Sequence, residues 1–107
     1  MLPTLIHCYH DSRLLGFALE PGAGLVLRVS LAPAWNPTGP NEVVLTFGGI
    51  ENHREVVGFF QRLPSSSHSA TLVDIIDVQA QAKGQWVIDL VGHGAVTVHT
   101  PKRPREL

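Results

Sequence analysis

Six residues near the N-terminus, His7-Cys8-Tyr9-His10-Asp11-Ser12, bring together two imidazoles, a thiol, a phenol and a carboxylate. Three chemistries suit such a set. The first is metal binding. If residues 4–9 are extended, side chains alternate across the strand. His7 and Tyr9 then share one face, and Cys8 and His10 share the other, where they could chelate together. A zinc site needs three or four ligands. The other histidines, His53, His68, His93 and His99, are scattered singly, and no Cys-x-x-Cys or His-x-x-x-His spacing occurs. The second is nucleophilic catalysis by Cys8 with His7 or His10 as base. That needs a third group to orient the base. Asp11 could serve only if the chain curls back. The third reading is structural, and it is the favoured one. Asp and Ser form turns by bonding nearby backbone N–H groups, so Asp11 and Ser12 cap the corner leading into "RLLGFALE".

Other enzyme signatures are missing. There is no Walker-type phosphate loop, no Gly-x-Gly-x-x-Gly and no Gly-x-Ser-x-Gly. The glycines of Gly92-His93-Gly94 could cradle an anion with backbone N–H groups, but a hairpin turn is the simpler reading. Asp74 and Asp77 are three apart, so on a strand they face opposite ways and make no acid/base pair. Asp89 alternates with Ile88 and Leu90 and should face outward. Trp86 shares the apolar face of its strand and reads as core. Trp35 lies in a proline-rich loop, where it either folds back as a lid on the core or stands exposed as a binding anchor.

The chain has 107 residues, the length of one domain. Its 8 basic and 9 acidic side chains give a net charge of −1, which offers no electrostatic case for nucleic acid or an anionic membrane. Charged residues make up 16% of the chain, against about 25% in average soluble domains. Part of the surface is therefore expected to be covered by a partner. Cys8 is the only cysteine, so no internal disulfide can form. The first residues lack the basic flank and apolar run of a signal peptide, and no apolar run is long enough to span a bilayer. The expected compartment is the cytoplasm.

Period-two alternation bounded by glycine turns recurs along the chain. Residues 13–20 place Leu15, Phe17 and Leu19 on one face. Pro21 to Gly24 supply a tight turn. Residues 25–31 then put Leu25, Leu27, Val29 and Leu31 on one face, completing a hairpin. The loop Ala32 to Asn41 holds three prolines, which forbid a central strand. Glu42 to Gly48 reads as a third strand. Residues 50–63 change period. Asn52 followed by Glu55 suits a capping box, and Val56, Phe59, Phe60 and Leu63 fall on one helical stripe. This favours a short helix over a strand, although Gly58 weakens it. Pro64 to Ser69 form a polar loop. Thr71 to Ala80, Gln85 to Val91 and Ala95 to Thr100 read as a three-strand meander. Lys102, Arg103 and Arg105 lie in a solvated basic tail over 101–107.

The whole is a single domain of α+β class, mostly β. It has six or seven antiparallel strands in a bent sheet, small sandwich or half-barrel, with one short helix.

The segments "YHDSRLLGFALEPGAGLVLRVSL" and "EVVLTFGGI" resemble a loose group of small, mostly uncharacterised bacterial proteins, some of them similar to toxin-immunity proteins. His10, Asp11, Ser12 and Leu14 match the group's His-Asp-Ala/Ser-x-Leu start. Leu45, Phe47, Gly49 and Ile50 match its Leu-x-Phe-x-Gly-Val/Ile strand. The resemblance covers about the first half of the chain and the terminal hairpin. It implies a small β-rich module without established catalytic residues.

The expected function is a non-enzymatic protein-interaction module, immunity-protein-like, whose partner is another protein or a second copy. Strand edges as bare as Ala95 to Thr100 invite a homodimer. The candidate interaction residues are His7, Cys8, His10, Asp11 and Trp35. The alternative is a small-ligand or metal-binding domain using His7, Cys8 and His10. No cofactor is expected, and no nucleic acid or membrane partner.

Overall fold

A computed structural model describes residues 5–20, 24–62 and 74–107. Strands β1 (Ser12–Glu20) and β2 (Gly24–Ser30) pair antiparallel, and β3 (Glu42–Phe47) adds to β2. Helix α1 (His53–Gln61) follows. Strands β4 (Asp74–Ala82), β5 (Gln85–Leu90) and β6 (Gly94–His99) then form an antiparallel meander. A two-residue strand, β7 (Arg105–Glu106), pairs with β3. All seven belong to one antiparallel sheet, in the order β6-β5-β4-β1-β2-β3-β7. A mostly β chain with one short helix was the expectation. The single sheet rules out the sandwich and leaves the bent form.

The connectivity forces the bend. β6 and β7 are the two outer strands, yet only residues 100–104 separate them. Seven strands laid flat would hold their outer members roughly 29 Å apart, at about 4.8 Å per step. The chain from His99 to Arg105 can span at most about 21 Å. The sheet must curl until its edges approach, and the end of β6 does meet the segment leaving β3. Thr100 Oγ1 donates to the Gly48 carbonyl at 2.6 Å, and Glu51 N–H donates to the His99 carbonyl at 2.7 Å. Gly84, in the turn between β4 and β5, lies against this closing segment. Its φ is +74°, and a Cβ there would sit 3.2 Å from the Thr100 carbonyl oxygen.

Curling gathers the apolar face inward. Leu25, Leu27 and Val29, then Val43, Leu45 and Phe47, then Ile76, Val78, Trp86, Ile88 and Leu90 are all buried. The inner stripe of α1, Val56, Phe59 and Phe60, packs onto this face. Phe60 meets Phe17 at 5.0 Å between ring centroids.

Several local readings need correction. Leu14, not Leu15, joins the core, because a bulge between Leu14 and Gly16 shifts the register by one residue. Among the described residues no strand precedes Ser12. Residues 5–9 are irregular, so period-two alternation does not apply to them. Asn52 does not cap α1 with its side chain. It accepts from His99 N–H at 2.9 Å and donates to the Thr97 carbonyl at 2.6 Å and to Glu55 at 3.0 Å. The amide thereby imitates a neighbouring strand. With Glu51, it covers the β6 edge between Thr97 and His99, an edge that looks bare in sequence. The turn residues Pro21 to Ala23 and the loop Pro64 to Ser69 lie outside the described residues. No helix among the described residues is long and apolar enough to cross a membrane.

The end of the chain is not a solvated tail. Pro104 is buried and Leu107 exchanges both backbone hydrogen bonds with Val44. Glu106 lies opposite the core residue Leu45. Its carboxylate accepts three bonds from the N-terminal segment: Ile6 N–H at 2.6 Å, His7 N–H at 3.0 Å and the Tyr9 hydroxyl at 2.8 Å. Burial of the Tyr9 phenol, and then the bond to the Glu106 carboxylate and its charge, push the phenol's pKa well above the ordinary value of 10.0. The folded chain thus keeps a proton that the unfolded chain releases near its ordinary value. Stability from this source is complete below that value and is lost as pH rises above it. The urea midpoint should therefore fall between about pH 9 and about pH 11, and fall distinctly less in Tyr9→Phe. Equal slopes in the two proteins would contradict this assignment.

Candidate functional site

The residues singled out in sequence meet at one place. The chain turns at Tyr9–Ser12, closed by Ser12 N–H donating to the Tyr9 carbonyl at 3.1 Å. Asp11 has φ +59°, a left-handed conformation that Asp tolerates better than most residues. The corner forms by backbone geometry, not by the side-chain caps expected. The buried Ser12 hydroxyl has no hydrogen-bond partner among the described residues. The Asp11 carboxylate faces away from the turn's own backbone, toward Trp35 and His10.

Trp35 comes from the loop between β2 and β3. Two short turns shape this loop, with Trp35 N–H bonded to the Ala32 carbonyl and Gly39 N–H to the Asn36 carbonyl. Its three prolines fix φ at their positions. Asn36 then clamps the loop to the N-terminal segment. It donates to the Cys8 carbonyl at 2.7 Å and accepts from Cys8 N–H at 3.0 Å. Trp35 stands 52% exposed, so it is not a lid. The His10 and Trp35 rings meet edge to face, 4.9 Å between centroids and 87° between planes. The Trp35 indole N–H donates to Asp11 at 3.4 Å.

His10 sits between two carboxylates. Nε2 lies 3.6 Å from Asp11 and Nδ1 lies 3.6 Å from Asp77 on β4. These are charge contacts of the protonated ring, beyond ordinary hydrogen-bond range. With the side chains half-exposed at His10 and Asp11, each is worth at most about 1 kcal/mol. Both ring nitrogens face carboxylates, so neither is directed at a hydroxyl or thiol. Asp77 lies directly opposite Asp89 across β4 and β5, a like-charge pairing that costs stability. Gln79, which donates to Asp77 at 2.8 Å, offsets part of it.

These residues wall an open groove of about 500 Å³. Leu5, His7 to His10 and Trp35 form one side, and Asp77 to Ala80 form the other. The groove exists because β1 and β4 pair only from Ser12 to Leu14. Beyond Ile76 the turn at Asp11 carries the chain away from β4. The lining is mostly apolar, Asp77 is its one carboxylate, and no Lys or Arg lines it; Asp11 stands behind His10, 3.6 Å from its ring.

His7 is half-buried and Cys8 is exposed. Neither joins His10 in a ligand set: among the described residues no three His, Cys, Asp or Glu side chains are grouped to hold a metal ion. Three contributors were missed in sequence. Asp77 is 66 positions beyond Asp11 and reads as one more outward strand residue. Asn36 looks like an ordinary turn former. Glu106 lies in what reads as a tail.

Comparison of the chain with family models, with curated proteins and with solved structures finds no match.

The turn depends on backbone conformation at Asp11, so the size and branching of its side chain should decide the effect of substitution. Asp11→Gly should change stability by less than about 0.5 kcal/mol, and Asp11→Val should cost about 1–2 kcal/mol, measured by urea unfolding. Equal losses in both variants would instead assign the stabilisation to the Asp11 carboxylate.

Proposed function

We propose that this chain is a non-catalytic protein-interaction module whose contact surface is the groove between Leu5–His10, Trp35 and β4. The observation that carries this reading is the state of Trp35. A large aromatic side chain stands half-exposed beside an apolar groove, yet it is held by the His10 ring, the Asp11 carboxylate and the Asn36 clamp. An anchor ordered before binding loses little conformational entropy on contact. Trp is also enriched among residues that dominate interface energies. The His10 geometry supports a binding role over general-base chemistry, because each ring nitrogen faces a carboxylate and neither faces a hydroxyl or thiol.

A protein partner also agrees with the low charged fraction of 16% and with the resemblance of the first half to a group of small proteins, some of them similar to toxin-immunity proteins. In that reading the chain acts by occupying its partner, and its scaffold serves to hold the groove. A second copy of the chain is the less supported occupant. The strand edge that would have invited it is filled by Asn52 and Glu51 between Thr97 and His99.

The test uses the protein that co-purifies stoichiometrically with this chain from its native host. Trp35→Ala should weaken that complex at least thirtyfold, on the order of 2 kcal/mol, while leaving the urea midpoint of the free chain close to native. Undiminished affinity would place the interface elsewhere.

A further inference from the structure

The groove has one wall of an unusual kind, the backbone of a strand that beyond Ile76 is paired on one side only among the described residues. In an antiparallel ladder, alternate residues direct both N–H and C=O to the same neighbour. Val91 N–H donates to the Ile75 carbonyl, and Asp77 and Gln79 continue that register opposite Asp89 and Val87. The odd-numbered residues of β4 therefore face β5. The even-numbered ones face the other way, where Ile76 meets Ser12 of β1. The pairing with β1 stops there. Val78 and Ala80 come next in the alternation, and both line the groove. Their N–H and C=O groups point to the space that β1 would occupy had it continued.

We infer that the groove takes an extended segment of a protein partner, added as a strand along Val78 to Ala80 and carrying a Lys or Arg side chain beside an apolar one. The inference rests on the reading of this groove as an interaction surface and names its mode. Two observations fix the occupant. The first is main-chain complementarity: an unpaired strand edge is a ready template for another strand. The second is charge. Asp77 lines the groove, Asp11 lies behind His10, Asp89 lies across from Asp77, and no Lys or Arg lines the groove. A cationic residue on the incoming strand would pair with the Asp77 carboxylate. The apolar floor of Leu5, Tyr9 and Val78 accepts the alternate side chain, and Trp35 closes over it. The volume of about 500 Å³ lies within the range of built binding sites, roughly 300–1,000 Å³. It accommodates a short stretch of strand, not a helix.

The test selects phage-displayed random linear peptides against the full chain, then follows backbone amide exchange by NMR in complexes with the enriched peptides. The expected peptides carry Lys or Arg next to apolar residues. On binding they should slow exchange at Val78 and Ala80 at least tenfold. Asp77→Asn, which keeps the shape of the rim, should weaken them several-fold. Ala80→Pro removes one edge-facing N–H and should weaken them at least tenfold. Should Ala80→Pro fail to fold, the exchange data and Asp77→Asn decide the matter. Binding that needs Trp35 but leaves Val78 and Ala80 exchange unchanged would overturn strand addition and leave the interaction-module reading intact. Protection at Val78 and Ala80 with binding indifferent to Trp35→Ala would support strand addition and remove Trp35 as the anchor. Failure to enrich any peptide, or enrichment of peptides without basic residues, would overturn the inference.

Discussion

The five residues between β6 and β7 constrain everything else in this molecule. They tie together the two outer strands of a seven-stranded sheet, and no flat sheet can satisfy so short a tether. Curling buries one face of β2, β3, β5 and β6, with Leu14 of β1 and Ile76 and Val78 of β4, and a single amphipathic helix packs onto that face. That is how a chain of this length builds a continuous core from one sheet. The same closure brings β7 beside β3 and sets Glu106 where it can receive Ile6, His7 and Tyr9. The C-terminal strand thus positions the N-terminal segment. One carboxylate, accepting two backbone N–H groups and a phenol, fixes a stretch that has no secondary structure of its own.

The groove results from two local deviations in an otherwise regular sheet. At Asp11 a left-handed residue turns the chain away from β4. Across the loop, Asn36 supplies Cys8 with the donor and acceptor that a neighbouring strand would have given. Asn52 does the same for Thr97 and His99 at the far edge. The two asparagines differ in consequence. Asn52 covers an edge, whereas Asn36 holds Trp35 beside an edge that stays open. A fold that fills one strand edge with a side chain and walls another with an anchored tryptophan has the arrangement expected of a binding surface kept apart from non-specific pairing.

Much of the scaffold could be read from alternation. The hairpin of β1 and β2, the third strand, the meander and the position of α1 all follow from runs such as Leu25-Leu27-Val29 and Ile76-Val78 with glycine turns between them. The failures share a cause. The bulge that exchanges Leu15 for Leu14 leaves no trace in composition, because both residues are leucine. β7 is two residues long, preceded by Pro104 and charged, so it has no periodicity to detect. Asn52 has the spacing of a capping box, yet its amide is drawn to the unpaired groups of β6, which lies more than forty residues away. Of the candidate site, His10, Asp11 and Trp35 were visible as residues able to do chemistry. Their relation to Asp77 was not, since only the pairing of β1 with β4 brings that carboxylate to the His10 ring. Local sequence reported which side chains had chemistry to offer, and long-range pairing decided which of them met.

The central claim is that β4 keeps an open edge inside a walled groove, and amide exchange in the free 107-residue chain tests it most directly. Under native conditions Asp77 and Gln79, paired to β5, should exchange slowly, while Val78 and Ala80 should exchange at rates near those of exposed loop amides. Uniform slow exchange across Asp77 to Ala80 would contradict the account, because it would mean that the edge is already occupied.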